Sequence, residues 1–135
     1  MTAFILRTET VVALMLAWGF VHLAPLRWIR GLFGEFSQPG DGAVACSSDL
    51  VRAQAVAWRL TRVADRLPWH STCLVRAMAG SLLLSRRRIR GARIRFGVRK
   101  EGELLSAHAW LMLGSEILLG GEGVPDFKPL ADLGR

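Results

Sequence analysis

The apolar residues of this chain change their period once, at Gly91, and that change limits the fold more than any other feature. Before it, Ala53, Val56, Ala57, Leu60, Val63, Ala64 and Leu67 recur at the three-and-four spacing of one helix face. Arg52, Arg59, Arg62 and Arg66 take the other side. Ser47 or Ser48 is a candidate N-cap, Asp49 suits the positive first turn, and Pro68 stops the helix. A second helix is expected from about Cys73 to Arg87, capped by Ser71 or Thr72. It carries Leu74, Val75, Met78, Leu82 and Leu83 inward and ends in a basic run. After Gly91 the period is two: Ile94, Phe96 and Val98 alternate with Arg93, Arg95 and Arg99, as in a strand with one solvated face. Leu104 to Leu113 and Ile117 to Leu119 read as further strands joined by a tight turn at Gly114-Ser115-Glu116. Helices followed by consecutive hairpin strands indicate an α+β fold.

Upstream, residues 4–34 read as one or two helices, broken near Pro25 and ended by Gly31 and Gly34. Val11 to Leu23 is densely apolar. A spanning helix needs about 20 such residues, and His22 and Pro25 cut this run short between Glu9 and Arg27. A buried or partner-facing helix is the expectation, and membrane contact is not favoured. Ala43-Val44-Ala45-Cys46 mimics a signal cleavage site or lipobox, but it lies far behind the apolar run, after a Gly/Pro segment. A cytoplasmic location is therefore expected. Residues 35–46 read as a loop. With 135 residues the chain has the size of one domain: an apolar helical segment (1–46) packed on a core (47–135).

Apolar types make up 51%, enough to bury a core, and the net charge is +7. All the cations except Lys100 and Lys128 are Arg. Nine of the eighteen lie between Leu67 and Lys100, an interval with no carboxylate. That run reads either as a solvated helix end and strand face or as a docking surface for an acidic partner. No nucleic-acid motif or aromatic platform accompanies it, so no nucleic-acid partner is expected. Two cysteines are too few for a disulfide framework, and His22, His70 and His108 are too scattered for a metal site. No metal or cofactor is expected. There is no Asn and no Tyr, which excludes mechanisms built on an Asn orienter or a Tyr acid.

Cys73 stands in the first turn of the second helix, where unpaired N–H groups and the dipole's positive end favour a thiolate. Arg76 can add to that field. Set against this, a lone cysteine at a helix start is more often a small buried residue. His108, in Ser106-Ala107-His108-Ala109-Trp110, shifts the balance. A thiol nucleophile needs a base that deprotonates it and later protonates the leaving amine. Cys at a helix start with His on the following sheet is the arrangement of papain-like and transglutaminase-like enzymes. Cys46, behind its Gly-rich loop, is expected to serve packing. His22 is expected to be a packed helix residue, and His70 to line the cleft.

Leu67-Pro68-Trp69-His70-Ser71-Thr72-Cys73-Leu74-Val75-Arg76-Ala77 resembles the nucleophile motif of the lasso-peptide leader peptidases, transglutaminase-like cysteine peptidases. Ala107-His108-Ala109-Trp110 resembles their His motif. Arg88-Ile89-Arg90-Gly91-Ala92, Gly97-Val98-Arg99-Lys100 and Phe127-Lys128-Pro129-Leu130 match as well. The resemblance spans nearly the whole chain. It implies a transglutaminase/papain-like core, with Cys73 as nucleophile, His108 as base and a precursor peptide as substrate, cut at the leader–core junction. It also implies a macrolactam synthetase as partner. With no leader-gripping domain in the chain, a separate leader-recognition-element protein is implied too.

That family commonly places an Asp about a dozen residues after the His, where this chain has Gly120. A three-residue loop at Gly114-Ser115-Glu116 would pair Leu113 with Ile117, Leu111 with Leu119 and His108 with Glu122. Glu122 is then the expected third member. A two-residue loop would set Gly121 there instead, and Asp126 is the alternative carboxylate. The Cys73 N–H is the natural first oxyanion donor, with Gln54, Ser71, His70 or another main-chain N–H as the second. An acyl-transferase or amidase of the same fold and a non-catalytic leader-binding adaptor remain as alternatives.

Overall fold

The change of period at Gly91 is where the last helix gives way to a sheet. The computed structural model describes residues 2–40, 44–69, 71–121 and 124–134. Two N-terminal helices, α1 (Thr2–Leu23) and α2 (Leu26–Phe33), lead into a short strand β1 (Glu35–Ser37). Helices α3 (Ser47–Arg66) and α4 (Cys73–Arg86) follow. Next come β2 (Ala92–Glu101), β3 (Leu104–Leu113), β4 (Glu116–Leu119), a 3-10 turn (Val124–Asp126) and β5 (Lys128–Gly134). The strands form one antiparallel sheet in the order β1-β5-β2-β3-β4. The architecture is α+β with an N-terminal helix.

The alternation of β2 and β3 decides which face carries the helices. Ile94, Ala109, Leu111 and Leu113 are buried in one cluster with Leu60, Val75, Met78 and Leu84 of α3 and α4. A Cβ added at Gly80 of α4 would lie 2.7 Å from Leu111 Cδ2 and 2.8 Å from Leu119 Cδ1, so the helix rests directly on β3 and β4 there. Glycine is what permits that approach. Leu14, Leu60, Met78, Leu84 and Leu111 are buried almost completely, each contributing about 2 kcal/mol by removal from water.

The expected 35–46 loop contains one strand, and another lies beyond the last strand expected. β1, within the expected 35–46 loop, pairs with β5. β5 was not anticipated from the sequence, and it contains a proline, a residue that stands in sheets only where no ladder bond is lost. Pro129 pairs with Gly97 on β2, below the point where β1 ends opposite Asp132, so no ladder bond on its other side is lost. The β3–β4 turn also differs from expectation. Leu113 pairs with Glu116, which makes Gly114-Ser115 a two-residue turn with Gly114 at φ +60°. Leu118 is then an extra residue, and Leu111 pairs with Leu119 as expected. Helix α3 starts at Ser47 with Cys46 as N-cap, so neither serine caps it by a side-chain bond.

The basic run is partnered from within. Glu9 of α1 accepts from Arg87 at 2.8 and 3.1 Å and pairs with Arg86 at 3.0 Å. The Arg87 hydrogen bond holds the Glu9 carboxyl below its usual range. Asp132 of β5, 3% exposed, lies 3.0 Å from Arg93 and 2.8 Å from Arg95. The Gly40 N–H also donates to Asp132, and the Gly40 carbonyl accepts from Arg93, so the end of the 38–40 segment is pinned to the sheet. Much of the expected docking surface is therefore spent on the chain's own carboxylates.

Helix α1 packs Thr10, Ala13, Leu14 and Ala17 inward, against α4 and α3. Phe4, Ile5, Val12, Met15 and Leu16 remain exposed. By length and composition it is apolar enough to cross a membrane, which the sequence reading did not grant it.

Candidate active site

Thr72 sets the start of α4. Its hydroxyl accepts from the Val75 N–H at 3.3 Å and its carbonyl from the Arg76 N–H at 3.0 Å. Those bonds leave the N–H groups of Cys73 and Leu74 without a partner among the described residues, directly beside the thiol. The Leu74 N–H is thus a candidate for the second main-chain donor that sequence reasoning left unnamed. The side-chain candidates fare less well. Ser71 is buried with its hydroxyl accepting from Arg76 Nε at 2.9 Å, and Gln54 is exposed on α3. His70 lies outside the described residues. Arg76 reaches back to Asp65 at 3.0 Å, so its charge is answered before it reaches the thiol.

Cys73 and His108 come to the same end of the helix–sheet contact. The chain leaves α4 and enters β2 at Ala92, opposite Leu113, so α4 and β3 run in the same direction. Cys73 precedes Gly80 by about 10 Å of helix and His108 precedes Leu111 by about 10 Å of strand. The thiol is half-buried against the core. The ring leaves the other face of the pleat, in line with Trp110 and Met112. Among the described residues no hydrogen bond joins Cys73 Sγ to the ring. The thiol, on the helix side, and the ring therefore stand at one end of β3 but on its two faces, so their meeting requires movement of the β3 end or of the start of α4.

His108 is held closely on its own face. Its Nε2 lies 2.8 Å from the carbonyl oxygen of Gly120. Trp110 stacks beneath it with ring centroids 5.7 Å apart, and Phe127 flanks it at 5.2 Å. Gly97, paired with His108 on β2, makes room for this: a Cβ there would strike the Trp110 ring at 2.7 Å. Trp110 closes the His motif and Phe127 opens the Phe127-Lys128-Pro129-Leu130 match, although nothing in the sequence assigned them to the imidazole.

The carboxylate candidates do not meet the ring among the described residues. Glu122 lies outside them. Asp126 is in the turn that brings Phe127 back to His108, but its own carboxylate faces Arg99 at 3.8 Å. Cys46 is exposed rather than packed, which corrects the expectation. Its thiol pKa is lowered, chiefly by the Ser48 hydroxyl at 2.9 Å and then by the N–H groups of Asp49 and Ser48.

A cysteine opening a helix, packed on an antiparallel sheet that carries a histidine, is the layout expected from the sequence for a papain-like or transglutaminase-like enzyme. Residues 20–132 match the transglutaminase-like superfamily. The chain belongs to it. No curated protein and no solved structure matches the chain. Transglutaminase-like proteins are generally Cys-His-Asp enzymes of the cysteine-peptidase or acyltransferase type. In this transglutaminase-like chain the resemblance assigns those roles to Cys73 and His108, and there is a glycine where it places the Asp.

Proposed function

We propose that this protein is a cytoplasmic cysteine peptidase that removes the leader from a ribosomally made lasso-peptide precursor. One observation supports it above the others: in a transglutaminase-like fold, Cys73 opens α4 beside two N–H groups with no partner among the described residues, at the end of β3 that carries His108 on its other face. His108 takes the thiol proton, and Cys73 Sγ attacks the carbonyl carbon of the scissile bond. The tetrahedral oxygen receives hydrogen bonds from the Cys73 and Leu74 N–H groups. Collapse breaks the C–N bond, and His108 returns its proton to the leaving amine, the new N-terminus of the core. Water then adds to the thioester with His108 as base, releasing the leader as a carboxylic acid and restoring the thiol.

The motif resemblance supplies the substrate class and the partners: a leader-recognition protein that presents the precursor and a macrolactam synthetase that closes the ring. The test is mass spectrometry of the precursor encoded beside this chain, incubated with the protein and a separate leader-recognition protein. Hydrolysis gives two fragments that together equal the precursor plus one water. An adduct with an added amine would instead indicate acyl transfer, and an unchanged mass would indicate an adaptor.

A further inference from the structure

We infer that the main-chain carbonyl of Gly120 fixes the His108 imidazole as its Nε2–H tautomer, doing the work for which the superfamily generally uses an aspartate. The inference rests on the peptidase reading for its use in catalysis, though not for its geometry.

A carbonyl oxygen has no proton to give. The 2.8 Å contact between Nε2 and Gly120 O therefore requires the hydrogen to be on Nε2. The neutral ring then carries its lone pair on Nδ1, which makes no hydrogen bond among the described residues and is the nitrogen left to act as base. Trp110 and Phe127 flank the ring and limit its rotation.

Residue 120 is also the position where a side chain is excluded. Gly120 sits at φ +77°, and a Cβ there would lie 3.0 Å from Ala109 O and 3.1 Å from Trp110 Cβ. An aspartate at this position would need a left-handed backbone and would press on β3. The same backbone conformation, one residue past the end of β4, presents the carbonyl to the ring. Here the backbone serves where a carboxylate usually stands, and it brings a dipole rather than a charge. Asp126, held opposite Arg99, adds no charge behind the ring. Within the chain His22 offers an internal contrast: its Nδ1 lies 2.9 Å from the Trp18 carbonyl, so that ring must be the Nδ1–H tautomer.

The experiment is nitrogen-15 NMR of the full-length labelled protein at alkaline pH, where the imidazoles are neutral and each ring nitrogen reports whether it carries the proton. The His108 signals are identified by their loss in His108→Gln. The expected result is Nε2–H for His108 and Nδ1–H for His22, with the His108 pattern unchanged in Glu122→Gln and in Asp126→Asn. Gly120→Ala should convert His108 to a mixture of tautomers. An Nδ1–H or mixed His108 in the unaltered protein would overturn the inference. So would a His108 pattern that changes when Glu122 or Asp126 loses its charge, since a carboxylate would then be the orienter. Should Gly120→Ala fail to fold, the unaltered protein and the two carboxylate variants still decide. Because no peptide is involved, this result stands apart from the peptidase reading, which falls if Cys73→Ala still cleaves.

Discussion

Two cysteines open two neighbouring helices, and their surroundings are opposite. Cys46 is the N-cap of α3, exposed, its thiol pKa lowered by a serine hydroxyl and two main-chain N–H groups. Cys73 is the first residue of α4, half-buried against the core, with Thr72 as its cap and His108 at the matching height of β3. The comparison separates acidity from catalysis. A helix start supplies N–H groups to any thiol placed there, so a lowered pKa marks a thiol that ionises readily rather than one that can turn over. Among the described residues Cys46 has no base among its partners, whereas Cys73 has two N–H groups without a partner beside it and His108 at the same end of β3.

The largest effect that tests this contrast is on cleavage. Cys73→Ala and His108→Ala should each lower leader removal by about a thousandfold or more, as expected when a nucleophile or its base is deleted. Cys46→Ser should cleave as the unaltered chain does. Loss of activity in Cys46→Ser with retention in Cys73→Ala would exchange the two roles.

Why the sequence ranked these thiols as it did follows from what local patterns record. The faces of α3 and α4 and the alternation of β2 and β3 are local, and they were legible residue by residue. Cys73 and His108 were named from their motifs. Glu9 answers Arg87 across 78 residues and Asp132 answers Arg95 across 37, so the basic run looked unpartnered to any short window. The Leu118 bulge hid the two-residue turn, because it restores the apolar register by Leu119. Gly120 escaped for a different reason: a search for a carboxylate cannot find a carbonyl that every residue has. Cys46 was misjudged because a loop before a helix carries no signal of which side is buried.

The next effect concerns how firmly α4, and Cys73 with it, is held. Glu9 clamps the far end of α4 to α1, and its carboxyl lies below the usual range because Arg87 donates to it. A group depressed in this way contributes stability above its ordinary pKa, and that contribution is lost as pH falls through the lowered value. Glu9→Gln should cost about 1–2 kcal/mol near neutral pH, the scale of a charge-assisted hydrogen bond. Thermal unfolding of the two proteins should converge in strong acid, where both side chains are uncharged. A constant difference at all pH values would assign the effect to packing instead.

The caps of the two helices should respond unequally. Thr72→Ala removes the acceptor of the Val75 N–H and should destabilise the protein by about 1 kcal/mol. Cys46→Ala removes only the weak approach of the Ser48 and Asp49 N–H groups to sulfur, short of a cap hydrogen bond, and should cost less. Denaturant unfolding of both variants reads the difference. Equal losses would mean that the start of α3 is secured by the Cys46 side chain after all.

The smallest effect is on the reactivity of Cys46. Its Sγ lies 2.9 Å from the Ser48 hydroxyl, the foremost cause of its lowered pKa. A hydroxyl that donates to sulfur stabilises the thiolate, so more thiolate is present at a given pH below the thiol's ordinary value. Ser48→Ala should raise the pKa, move the pH profile of Cys46 alkylation by iodoacetamide to higher pH, and slow alkylation a few-fold near neutrality. The N–H groups of Ser48 and Asp49 remain after the substitution, which keeps the change modest. Cys73, whose helix start contains no such hydroxyl contact to sulfur, should label at an unchanged rate in the same variant. If Ser48→Ala slowed both thiols alike, the two helix starts would be coupled, and the contrast between a solvent-facing thiol and a core-backed one would not hold.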